Sequence, residues 1–259
     1  MLWLAGHASV RGISHVKSGA PCQDSAAVWT SPDGRRMVGA VADGGGSLER
    51  SDVGSMLAVW LTVSATAAKL QTGALVGASE SAFDTHWRSV VRDVRALIAI
   101  EAELTQGASA RDYGTTLIAF AIVDNVMAAF QIGDGFLVLG TDGALGVASY
   151  ELVFEARPVE QAGEVVWLTS SLWEEDFRSV LRPTGASLVC ASTDGLEKVA
   201  ITRSEQKPFP GFFTPLAQRV QDCTTAESLD GLARSIASME ALDRYVDDDK
   251  TLVLGRRLR

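Results

Sequence analysis

Hydrophobic positions in this chain fall into short dense runs near its start and middle, with helically spaced stripes between them. Trp3–Val10, Ser25–Thr30 and Met37–Ala42 are short and rich in apolar or β-branched residues. Turn formers such as Ser31-Pro32-Asp33-Gly34 separate them, so three strands are predicted. From Ser51 to Leu70 the spacing changes: Val53, Met56, Leu57, Trp60, Leu61, Ala67 and Ala68 recur with a helical period. Ser51 is expected to cap that helix, and Asp52 suits the positive end of its dipole. After the Gly73–Gly77 break, a second helix is predicted over about Glu80–Leu104, with Val90, Val91, Val94, Leu97 and Ile98 along one face.

A block of β character follows. Thr115–Val123, Val126–Ile132 and Phe136–Gly140 are separated by Asp124-Asn125, Gly133-Asp134-Gly135 and Thr141-Asp142-Gly143, all suited to tight turns. Further strands are predicted at Val165–Thr169, Phe177–Leu181 and Ser187–Ser192, then a helical region over Pro215–Met239 and a last strand at Thr251–Gly255. Strands and helices are grouped rather than alternating, which favours an α+β architecture over a regular parallel fold. Without an internal repeat or a linker, residues 1–259 read as a single domain.

Composition narrows the class. No stretch approaches the uninterrupted apolar length of a membrane span, and the N-terminus lacks the basic, apolar character of a secretory signal. Three widely spaced cysteines without a CxxC pair fit a reducing cytosol, and the chain is expected to be cytoplasmic. A net charge of −9 without a basic stripe argues against nucleic acid as a partner.

Aspartate is the candidate chemistry. Val38–Asp43 runs into Gly44-Gly45-Gly46, Phe130–Asp134 into Gly135, and Leu188–Asp194 into Gly195; Asp247-Asp248-Asp249 precedes the apolar run that closes the chain. Asp-Gly by itself is a common turn, so Asp33 and Asp142 are read as turns and Asp230 as a helix start. Asp43 and Asp194 differ because each ends a run apolar enough to be buried, where a carboxylate needs a partner or an ion. Gly44 would let a backbone carbonyl approach that ion. Hard anionic oxygens gathered in one place suit Mg²⁺ or Mn²⁺.

Six segments occur in the order of a known family: Cys22-Gln23-Asp24, Val41-Ala42-Asp43-Gly44-Gly45-Gly46, Gly114-Thr115-Thr116, Gly133-Asp134-Gly135, Ser192-Thr193-Asp194-Gly195 and Asp248-Asp249-Lys250-Thr251. The chain therefore resembles the metal-dependent Ser/Thr protein phosphatases, the protein phosphatase 2C or PPM family, from about Gly6 to Leu254. With Gly12-Ile13-Ser14-His15 it looks most like a bacterial branch. The resemblance implies a β-sandwich of two antiparallel sheets flanked by helices, a four-layer αββα arrangement. It implies that Asp43 bridges two metal ions, that Gly44 offers its carbonyl, and that Asp194 and Asp248 complete the set. Asp24, with Gln23 beside it in place of the usual glutamate, would hold water near the ions, and Asp134 matches an aspartate that helps bind a third ion in bacterial relatives.

Two departures stand out. Many relatives carry a histidine where this chain has Gly45, and an arginine that binds substrate phosphate where it has Gly19; His15 and Lys17 are the nearby substitutes. The function implied is hydrolysis of phosphoserine and phosphothreonine in proteins by a water activated between two divalent ions roughly 3.5–4 Å apart. A phosphorylated protein and a cognate Ser/Thr kinase are the implied partners, with no role for nucleic acid or membrane. The competing reading is a catalytically weak or inactive phosphatase-like module that regulates a kinase or signalling partner, motivated by the missing histidine and arginine.

Overall fold

The computed structural model describes residues 2–142, 149–155, 165–202 and 204–258. Its centre is two five-stranded antiparallel sheets. One has the order β1 (Leu2–Val10), β12 (Lys250–Leu258), β9 (Leu188–Ser192), β6 (Phe136–Thr141), β7 (Ser149–Leu152). The other runs β2 (Ser25–Thr30), β3 (Arg36–Ala42), β4 (Leu117–Val123), β5 (Val126–Ile132), β8 (Arg178–Pro183). A separate short hairpin pairs β10 (Ile201–Thr202) with β11 (Lys207–Pro208).

Side chains on successive strand residues point to opposite faces, and here both faces are covered. In β3, Met37 and Val41 enter the core between the sheets, whereas Val38 and Ala40 pack under helices. In β4, Ile118, Phe120 and Ile122 face between the sheets, and Leu117, Ala119 and Ala121 face the helices. Serving two cores is why these strands read as continuous apolar runs rather than as alternating ones. The helices over the second sheet are α2 (Ser51–Gln71) and α3 (Glu80–Leu104). The first sheet is covered by α6 (Pro210–Asp222) and α7 (Ala226–Ala237), whose Phe213, Leu229 and Ile236 pack with Val138, Leu252 and Leu254. The result is the expected αββα sandwich.

Several local expectations change. Val165–Thr169 is not a strand: Leu168 is buried in the α3-side core, and its backbone is tied to Thr115 and Arg95 rather than to a ladder. Ser51 does not cap α2; it is the first helical residue, and its hydroxyl donates back to the Gly45 carbonyl at 3.0 Å. The helical region predicted over Pro215–Met239 begins earlier, at Pro210, and consists of two helices, with a Thr225–Ser228 capping box starting α7. Asp230 lies inside α7 instead of starting it, and accepts the His7 backbone N–H at 2.7 Å. A six-residue helix α1 (Ile13–Ser18) went unpredicted because none of its residues is buried and it has no apolar stripe. Asp142 directly follows β6 and accepts a hydrogen bond from Ser187, while Gly143 lies outside the described residues.

Helix α2 is more apolar than the sequence reading allowed. Its length and mean hydropathy of 1.4 match those of a membrane span, but half of that apolar stretch is buried inside the fold, against β2, β3 and α3. Between α2 and α3, His86 Nε2 lies 3.0 Å from the Thr66 hydroxyl, and burial is the main cause that pushes the imidazole down to about 4. A histidine whose folded value is depressed binds its proton more tightly when unfolded. Its contribution to stability is therefore complete above the ordinary value of 6.5 and is lost as pH falls from there towards 4. His86→Gln should flatten the decline in Tm between pH 6.5 and 4; an unchanged decline would remove His86 from the acid response.

Candidate metal centre

The aspartates stand at one end of the sandwich, each placed by the strand beside it. Asp43 follows β3, and its backbone is held on both sides: its N–H donates to Thr116 Oγ1 at 3.0 Å, and its carbonyl accepts from Thr116 N–H at 2.8 Å and Thr115 Oγ1 at 2.9 Å. This gives Gly114-Thr115-Thr116 a physical reason to accompany the aspartate. Asp194 opens a 3₁₀ turn directly after β9, and Asp248 precedes β12. Asp134 sits in the β5–β6 turn between Gly133 and Gly135, whose φ values of 87° and 90° require glycine.

The electrostatics show convergence. Asp43 is pushed well above the usual carboxylate range, first by burial and then by the charges of Asp24, Asp194, Asp134 and Asp248. Asp194 is raised to about 7 by burial and by Asp134, Asp248 and Glu197, with Lys198 opposing. Asp24 is buried and also raised, chiefly by desolvation, although Thr193 Oγ1 donates to it at 2.7 Å. Asp24, Asp43 and Asp194 are thus raised together, by burial and by the charges of neighbouring carboxylates. Such a set is relieved either by protons or by cations of high charge density.

The residues present fit divalent ions. The donors are carboxylate oxygens, with the Gly44 backbone packed in where a Cβ would stand 2.6 Å from the Gln23 and Ser51 carbonyl oxygens. Gln23 Oε1 is buried and has no hydrogen-bond partner, an acceptor left for a ligand outside the protein. Asp43, Asp194, Asp248 and Gly44 would hold the ions, with Asp134 at the edge of the group.

Two neighbours escaped the sequence reading. Asp249, set aside in favour of Asp248, is 3% exposed and clamps three segments. Its oxygens accept the Gly12 and Gln23 N–H groups, both at 2.6 Å, and stand 2.9 Å from His15 Nδ1, an electrostatic contact rather than a well-aligned hydrogen bond. Lys250 is equally buried and reaches Asp243 at 2.8 Å, tying down the loop that presents Asp248. Alternation gives no signal here, because Asp249, Lys250 and Thr251 are all buried.

The two substitutes part company. His15 is only 12% exposed, and its Nε2 lies 3.9 Å from where a Cβ on Gly46 would stand, beside the glycine run after Asp43. His15, Asp248 and Asp249 bring donor atoms within 4.8 Å of one another. Lys17, two residues along α1, is exposed and cannot share His15's helical face.

The family model described as protein phosphatase 2C matches residues 11–234. Serine/threonine-protein phosphatase 3 of Escherichia coli (strain K12) is 31% identical over 265 residues, spanning 98% of this chain and 98% of that protein. Among solved structures, the serine/threonine phosphatase Stp1 from Staphylococcus aureus superposes with a TM-score of 0.62 at 14% identity, covering 100% of this chain and 96% of that one. RsbX in complex with magnesium gives a TM-score of 0.55 at 14% identity, covering 98% and 94%. At such identities the structural matches speak for the fold.

Proposed function

The chain belongs to the protein phosphatase 2C family, and from that premise we propose that its carboxylate cluster serves metal-dependent hydrolysis of phosphoserine and phosphothreonine in proteins. The observation that carries this reading is the set of charges bearing on Asp43: four other aspartates, drawn from segments between residues 24 and 248. When bound, Mn²⁺ or Mg²⁺ would supply charge neutralisation at the phosphoryl group and a lowered pKa for the attacking water.

The chain's own residues do the placing. Asp43, Asp194, Asp248 and the Gly44 carbonyl would hold two ions, and Asp134 would help hold a third. Asp24 and Gln23 accept hydrogen bonds from water next to them. His15, steadied at Nδ1 by Asp249, turns Nε2 towards the glycine run and, when both ring nitrogens carry protons, donates to a phosphoryl oxygen. It thereby takes over part of the role left open by glycine at positions 19 and 45. The substrate is a phosphoprotein; a cognate Ser/Thr kinase and a cytoplasmic setting, which the free cysteines support, belong to the same proposal.

The direct test is release of phosphate from a phosphoserine peptide by the purified protein. Hydrolysis is expected with Mn²⁺ or Mg²⁺ and none with EDTA; a protein inert under every divalent ion is a binding module instead. His15→Gln should lower kcat/KM by about 10- to 100-fold, as for loss of a hydrogen bond to a charged group. Lys17→Gln, at an exposed charge, should change it by less than about threefold. Equal losses in both variants would count against His15.

A further inference from the structure

Beside the metal centre the chain builds a second cleft that the chemistry above does not use. Lys198, Val199, Ile201, Thr202, Phe209 and Tyr245 line about 570 Å³ of space. Lys198 lies in α5 (Glu197–Ala200), which continues directly from the 3₁₀ turn opened by Asp194; Tyr245 lies three residues before Asp248. The cleft therefore grows from the same two segments that present metal ligands.

Its walls are aromatic and held rigidly. Phe209 is 48% exposed and Tyr245 61% exposed, yet both backbones are fixed: Phe209 N–H donates to the Ala200 carbonyl at 2.7 Å, and Tyr245 N–H to the Leu242 carbonyl at 2.8 Å. The β10–β11 hairpin sets Ile201 opposite Pro208, and both are buried beneath the rim. Two large aromatic rings kept in water on a fixed backbone, facing one cleft, form a ready surface for an apolar side chain. Lys198 supplies the cationic edge. It stands four residues beyond Asp194, about one helical turn along the same continuous segment, so a peptide at the metal centre passes beside it. One helical turn rises about 5.4 Å, and with the length of the lysine side chain the span is what extended chain covers in roughly three residues.

We propose that this cleft is a substrate subsite that takes a bulky apolar side chain within about three positions of the phosphorylated serine or threonine, with Lys198 meeting the acidic or carbonyl groups of the same peptide. The subsite rests on the phosphatase reading, because that reading puts the phosphorylated residue at Asp43. It adds a selection rule: among phosphoproteins of equal charge, those with an aromatic or branched aliphatic neighbour are preferred.

The experiment uses two fluorescent phosphoserine peptides, one with leucine or phenylalanine scanned through the three positions on either side, the other with alanine there. Binding is followed by anisotropy and hydrolysis by phosphate release with Mn²⁺. The apolar peptide is expected to be favoured by about tenfold in kcat/KM, carried by KM, and by a similar factor in Kd. Phe209→Ser and Tyr245→Ser should each erase most of that preference. Absence of any preference, or one that survives in both variants, overturns the subsite. Loss of hydrolysis for both peptides would speak against the phosphatase reading alone, since anisotropy still reports the discrimination.

Discussion

Asp43→Asn is expected to lower kcat/KM by on the order of 10³-fold, the upper range for removal of one preorganised electrostatic group, and at the same time to raise the Tm of the metal-free protein. The two effects share one cause. Asp43 is half-buried and faces the charges of Asp24, Asp194, Asp134 and Asp248, so its charge is unfavourable unless cations answer it. Asparagine keeps the shape and removes the charge. The metal-free fold loses a source of repulsion, and the ions lose the carboxylate that would join them. Activity assays and thermal melts of EDTA-treated protein check both halves. A variant that retains activity, or whose metal-free Tm falls, would show that Asp43 is paired by something other than an ion.

The second large effect concerns pH and metal together. Asp24, Asp43 and Asp194 all have folded values above the ordinary 3.8, with Asp194 at about 7 and the other two also raised. For a raised carboxylate the unfolded chain gives up its proton first. The contribution to stability is therefore complete below 3.8 and is lost as pH rises through the folded values. Metal-free protein should accordingly gain Tm as pH is lowered from 8 to 6.5. Below 6.5 His86 begins to act in the opposite sense, so the window above it isolates the carboxylates. Divalent ions at about 100 times Kd add roughly 2.7 kcal/mol. For a domain of this size that is roughly 5–10 °C in Tm. The added ions should also flatten the pH slope, because ions replace the protons. A metal-free Tm independent of pH across that window would show that the carboxylates do not crowd one another.

Where a segment's burial is decided by its own pattern, the sequence was readable. The strand Ser25–Thr30, the strand Val126–Ile132 and the helix Glu80–Leu104 were placed with the bounds they have. The helix shows its period along its length, and the two strands are short apolar runs closed by turn formers. Val165–Thr169 has the same apolar density, but tertiary contacts with Arg95 and Thr115 take its backbone out of any ladder. The site divides in the same way. Asp43 and Asp194 announce themselves by ending buried runs, a signal within the chain. Asp249 does not, because its role depends on Gly12 and Gln23, more than two hundred positions away. Singling out Asp248 among three consecutive aspartates came from family likeness, since no local pattern distinguishes a ligand from the clamp beside it.

Strand β12 lies between β1 and β9, pairing His7 with Val253 and Ala191 with Val253 across its two edges. Contacts of such sequence separation are slow to form, and this one waits on a strand that leaves the ribosome after its neighbours. Asp248 enters with it. A nascent chain thus holds the early aspartates without the late one, and catalytic competence should arrive only once β12 has paired between β1 and β9.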